Sequence, residues 1–309
     1  YRYFATPQRS FILADCPGHV QYTRNTVTGA STADAVVLLV DARHGVVEQT
    51  RRHLAVAALL KVPHVVVAVN KIDLVDFSAE VYARTAEQIE RVAAALGVAD
   101  AHVLPTSALA GDNVVERSGR TPFYNGPALL ELLESLPADS TQADRALRLP
   151  VQLVIRPQSA AAEGLTDYRG YAGRISAGAV ELGDDVVVLP SGRRTTVTGI
   201  NLGARPVLAA RAGQSVSLEL ADDIDIARGD LIAAGHDLPP LVREIEAHVA
   251  WLSERPLHAR DRVLVKHGAR TVRALVASIE GVLELDDLAI SPADELALND
   301  IGRLRLRLA

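Results

Sequence analysis

At 309 residues, with 49% apolar and 23% charged side chains, the chain has the makings of two or three folded domains and excludes disorder. A net charge of -6 disfavours extensive binding to a phosphate backbone, and a single cysteine, Cys16, excludes an internal disulfide framework and a thiolate zinc site. No apolar run approaches the roughly 18 residues that cross a bilayer and no secretory leader opens the chain, so the expectation is a cytoplasmic protein with no membrane contact.

The first third alternates short β-branched runs with helical patterns. Phe11–Ala14, Val36–Val40, Val65–Val69 and His102–Pro105 read as buried strands. Glu48–Leu60, Ser78–Leu96 and Pro127–Leu136 read as helices, the second stopping at Gly97. Strands alternating with helices predict a parallel sheet. After Leu136 a small, polar, charged stretch, Pro137–Arg148, marks a boundary. The period then changes to two, with strands at Tyr171–Ile175, Val186–Leu189, Thr195–Ile200 and Ser215–Leu220 punctuated by glycines, the pattern of a small β-barrel. Past a second linker, Gly235–Pro240, come Ala247–Leu252, Arg262–His267, Arg270–Ser278 and Gly302–Leu308, too few strands to close another barrel. The expected fold class is therefore multidomain, α/β plus all-β: an incomplete P-loop-type domain over 1–140, a β-barrel over 141–237 and the start of a second barrel over 241–309.

Three polar motifs follow strands, at the carboxyl edge where parallel sheets bind ligands. In Asp15-Cys16-Pro17-Gly18-His19, Asp15 can hold Mg²⁺ through water, Gly18 lets the backbone approach a terminal phosphate, and His19 can position an attacking water. In Asn70-Lys71-Ile72-Asp73, the Asp73 carboxylate can accept from N1–H and the exocyclic amine of guanine, a pattern adenine does not offer. Asn70 would brace neighbouring loops while the Lys71 stem covers the base. In Thr106-Ser107-Ala108-Leu109, the Ser107 hydroxyl can stabilise the base loop and the Ala108 N–H can donate to guanine O6. Alone, each motif is also an ordinary polar turn; their order and spacing together are similar to those of the guanine-nucleotide switch proteins. No Gly-x-x-x-x-Gly-Lys-Ser/Thr loop occurs. Both ends of the chain therefore read as truncated, and these residues alone are expected to bind guanine nucleotide weakly and to hydrolyse it negligibly.

A GTPase domain followed by two β-barrels resembles the translation-factor GTPase superfamily. The wording is closer to one of its families, the GTP-binding large subunit of heterodimeric sulfate adenylyltransferase (ATP sulfurylase), some members of which are fused to an adenylylsulfate kinase. The segments carrying this resemblance include Gln21–Asn25, Gly29–Asp34, Gln49–His53, Gly111–Val114, Tyr124–Pro127, Arg169–Gly173, Leu189–Gly192 and Asp225–Asp230, with Trp251 where the family has a barrel tryptophan. Two positions depart from the family pattern, Cys16 where threonine is usual and Thr26 where methionine is usual.

By this resemblance Asp15 and Gly18 would contact Mg²⁺ and the γ-phosphate, His19 would orient the hydrolytic water, and Asn70, Lys71, Asp73, Ser107 and Ala108 would read guanine. It implies GTP and Mg²⁺ as cofactors and a small catalytic adenylyltransferase subunit as partner, with GTP hydrolysis driving adenylylsulfate formation from ATP and sulfate. The alternative is a translation elongation factor delivering aminoacyl-tRNA. A third reading is a fragment that binds no nucleotide. Elsewhere His53 reads as a solvated helix residue, Arg303, Arg305 and Arg307 as a solvated barrel face, Asp222, Asp223 and Asp225 as a polar turn, and Tyr168 and Tyr171 as barrel packing.

Overall fold

Val65–Val69 is apolar at every position because alternate residues feed two different cores. Val65, Val67 and Val69 face Leu54, Ala57 and Ile89, while Val66 and Ala68 face Leu104, Leu132 and Leu136. The strand is thus the centre of a three-stranded parallel sheet flanked by helices on both faces. The computed structural model describes residues 1–18, 23–137, 145–157 and 168–309.

The described chain opens with β1 (Arg2–Ala5) and β2 (Ser10–Leu13), then α1 (Thr23–Ala30), β3 (Ala35–Asp41), α2 (Glu48–Leu59), β4 (His64–Asn70), α3 (Ala79–Ala95), β5 (Ala101–Pro105) and α4 (Leu129–Ser135). The parallel sheet has the order β3-β4-β5. Ser78 caps α3 by accepting the Val81 N–H at 3.3 Å, and Gly97 ends it with φ 74°.

One expected strand differs. β2 does not join the parallel sheet; it pairs antiparallel with β1, Phe4 opposite Phe11, and the two rings stack at 4.8 Å. Ile12 is 70% exposed, so this run is apolar without being buried. Periodicity cannot tell a two-stranded ribbon from a core strand of the same length.

The chain divides into two compact units, the first comprising Tyr1–Ala138, Glu246–Asp261 and Val276–Leu306. Within it Ile301, Leu283 and Leu285 pack against Ala55 and Val56 of α2, and Arg52 Nη1 donates to the Asn299 carbonyl at 3.0 Å. Arg303 and Arg305 are exposed and pair with Glu246 and Glu280.

The second unit comprises Asp139–Ile245, Arg262–Leu275 and Arg307–Ala309; the linker residues 138–144 lie outside the described ones. Its main sheet runs in the order Arg148–Pro150, Leu231–Ala234, Asp185–Leu189, Arg193–Leu202, Ser215–Leu220, Gly170–Arg174, Leu153–Ile155. The first and last of these are consecutive in sequence, and Arg148 also bridges to Ala177, so the sheet closes into a barrel. Gly173 is required at the seam: a Cβ there would stand 2.3 Å from the Pro150 carbonyl oxygen. Tyr171 is buried in the barrel core and donates its hydroxyl to the Ile224 carbonyl at 3.0 Å. Asp223 pairs with Arg156 and Arg169, and Arg307 with Glu244.

Candidate functional site

β4 and β5 end side by side, and their trailing loops are tied together. Thr106 N–H donates to Val69 O at 2.8 Å and Ile72 N–H to Thr106 O at 3.2 Å. Asn70 Oδ1 accepts the Ala108 N–H at 2.9 Å and faces the Thr106 hydroxyl at 3.5 Å. An asparagine at the last position of β4 therefore braces Asn70–Asp73 against Thr106–Leu109.

Lys71 adopts the left-handed region, φ 60°, and Ile72–Val75 follows as a turn of 3₁₀-helix. A non-glycine residue held there costs about 1–2 kcal/mol and persists where its surroundings fix it. Here Ile72 does so, since its side chain is fully buried among Val40, Val67 and Val69. That burial makes Ile72 an anchor of the loop from beneath. Asp73 is half-buried and Lys71 exposed.

Ser107 is fully buried; its hydroxyl accepts the Ala110 N–H at 3.3 Å and its own N–H donates to Asp112 O at 3.2 Å. The Ala108 N–H, expected to serve guanine O6, is engaged by Asn70 in this structure. Leu109 is 93% exposed.

The segment after the base loop supports it in a way that periodicity does not reveal. Arg120 clamps Asp112 through Nε at 3.0 Å and Nη2 at 2.6 Å, and Ser118 Oγ donates to the same carboxylate at 2.6 Å. The Arg120 guanidinium also covers the Phe77 ring at 4.7 Å. Asn113, buried, donates to Pro105 O and Thr121 Oγ1, both at 2.9 Å.

Asp15, Pro17 and Gly18 are exposed after β2, and His19 lies outside the described residues. Cys16 is half-buried. Its sulfur lies against α1, 3.5 Å from Asn25 O, and a Cβ on Gly29 would stand 2.6 Å from it. Burial, then the neighbouring Asp15 carboxylate, raise the thiol above its ordinary pKa. His53 also departs from the solvated reading: it is half-buried, its Cε1 3.8 Å from the place a Gly18 Cβ would take, and its Nε2 pairs with Gln49 Nε2 at 2.9 Å. Burial and then Arg52 lower its pKa, leaving the ring neutral near pH 7.

Asp41, missed by sequence reasoning, closes β3 opposite Asn70 and pairs with Lys71 Nζ at 2.9 Å. The signal available was a lone carboxylate ending an otherwise apolar strand. Among the described residues Asp15 makes no ion pair and no cluster of three metal-ligating side chains occurs. An exposed carboxylate suits water-mediated contact to Mg²⁺, the rest of whose shell would come from water and phosphate.

Residues 1–141 match the family model described as the elongation factor Tu GTP binding domain. The bifunctional enzyme CysN/CysC of Mycobacterium tuberculosis is 47% identical over 99% of this chain and 50% of its own length. Sulfate adenylyltransferase subunit 1 of Laribacter hongkongensis is 44% identical over 100% of this chain and 63% of its own. The bifunctional enzyme NodQ of Rhizobium tropici is 42% identical over 98% of this chain and 47% of its own. The chain thus spans about half to just under two thirds of the length of these curated relatives.

Proposed function

We propose that the protein, whose residues 1–141 match the elongation factor Tu GTP binding domain, is the GTPase subunit of a sulfate adenylyltransferase. In this reading GTP hydrolysis is coupled to adenylylsulfate formation from ATP and sulfate on a small catalytic partner subunit. The names carried by relatives along the whole chain favour it over aminoacyl-tRNA delivery. The fused relatives extend it to an adenylylsulfate kinase, joined or associated.

The observation that carries the nucleotide part is the Asn70 brace, which holds the Lys71–Asp73 and Ser107–Ala108 loops side by side at the carboxyl edge of β4 and β5. Asp73 reads the Watson–Crick edge of guanine through its two carboxylate oxygens. Lys71 lays its methylenes on the ring and keeps its ammonium in a polar setting. Ser107, buried, fixes the loop that follows β5. Asp15 would hold Mg²⁺ through water and the Gly18 N–H would contact the γ-phosphate. Bound with GTP, Mg²⁺ would neutralise charge on the β- and γ-phosphates. His19 orients the attacking water as a hydrogen-bond partner.

The test is adenylylsulfate formation from ATP and sulfate by the full-length protein mixed with its small subunit, with and without GTP. Strong stimulation by GTP is expected. Equal rates with and without GTP would discard the coupling.

A further inference from the structure

Lys71 is 48% exposed, and a lysine side chain that must be ordered over a base loses much of its rotamer freedom. The structure supplies a device that removes much of that cost beforehand. The left-handed backbone at Lys71, pinned by buried Ile72, fixes where the side chain starts. Asp41 Oδ2, 2.9 Å from Nζ, fixes where it ends.

Asp41 is itself immobilised. Arg43 donates to Oδ1 from its backbone N–H and from Nε, both at 3.0 Å, and to Oδ2 from Nη2 at 2.6 Å. The Ala42 N–H donates to Asn70 O at 2.9 Å, so the ends of β3 and β4 are stitched together just where the pair forms. Arg43 first, and Lys71 after it, hold the Asp41 carboxyl well below the usual carboxylate range, so it is ionised near neutral pH.

We propose that Asp41 is a positioning residue of the guanine site, acting through Lys71: it holds the ammonium so that the lysine stem is laid out as one wall of the purine slot before the nucleotide arrives. This rests on the guanine reading of Asn70–Asp73. As a stability device the pair is weak, because partly exposed ion pairs contribute about 0–1 kcal/mol. Its effect is on affinity, through preorganisation.

The test uses the full-length protein and a fluorescent GDP analogue. Asp41→Asn, nearly isosteric, is expected to weaken binding about threefold to tenfold, the factor matching about 1 kcal/mol. Asp41→Glu recovers part of the loss, and in a Lys71→Ala background Asp41→Asn adds nothing further. An unchanged affinity in Asp41→Asn, or an equal loss with and without Lys71, overturns the proposal. Asp73→Asn, measured alongside, should shift preference from guanine to xanthine nucleotide. If it keeps the parent's preference, or if the parent binds no GDP, it is the guanine reading that falls, and the proposal falls with it.

Discussion

Asn70 Oδ1 and the Ala108 N–H, 38 positions apart in the chain, meet at 2.9 Å and join the two loops that would enclose a guanine base. Asn70→Ala removes that acceptor and leaves Ala108 without its partner. A hydrogen bond of this kind is worth about 0.5–1.5 kcal/mol, so the melting temperature should fall by a few degrees and GDP affinity by up to about tenfold. Equilibrium titration of the variant checks this.

The Asp112–Arg120 clamp yields a different signature. Asp112 has only 7% of its side chain exposed while Arg120 has 54%, so Arg120→Ala strands a nearly buried carboxylate. A fully buried pair broken from one side costs about 3–5 kcal/mol; with Arg120 half in water, about 2 kcal/mol is the expected loss. Urea unfolding should show it as a lower midpoint with an unchanged slope, and Asp112→Asn in the same background should restore part of it.

Gly29 tests the packing of Cys16. Alanine in a helix is ordinarily better than glycine by about 1 kcal/mol, yet a Cβ at Gly29 would meet Cys16 Sγ at 2.6 Å. Gly29→Ala should therefore destabilise the parent by about 1 kcal/mol and stabilise a Cys16→Ala background. That reversal of sign, read from the two thermal midpoints, is the expected result.

His53 sets a pH dependence. Its pKa is lowered in the folded protein, mainly by burial, from an unfolded value of about 6.5. Between the two values the unfolded chain binds more protons than the folded one, so stability rises with pH in that window and is complete above it. Lowering the pH through about 6.5 should thus cost stability, with a slope of at most about 1.4 kcal/mol per pH unit. In His53→Gln this part of the slope should vanish when unfolding is measured from pH 5 to 7.5.

The central strands were legible because burial on two faces demands an unbroken apolar run, and Val65–Val69 has one. That the Asn70–Asp73 and Thr106–Leu109 loops lie together was legible because each follows such a strand. β2 was misplaced because Phe11–Ala14 has the same texture, while its partner, β1, is chosen by tertiary contact. The Cys16–Gly29 contact, the covering of Phe77 by Arg120 and the burial of His53 depend on side chains brought together from distant positions. Asp41 lay in plain view as a carboxylate ending β3, but its meaning comes from the register that sets it opposite Asn70.

The seam of the barrel at Pro150 and Gly173 has a dynamic consequence. Because the Arg148–Ala177 bridge ties one end of the sheet back to the other, among the described residues only Leu153–Ile155 presents a free edge from which amides can exchange by peeling inward. Hydrogen exchange across the other strands from Arg148 to Ala234 should cluster around one opening free energy. Gly173→Ala, by forcing the ring apart at the Pro150 carbonyl, should split that cluster and let Arg148–Pro150 join Leu153–Ile155 in exchanging first.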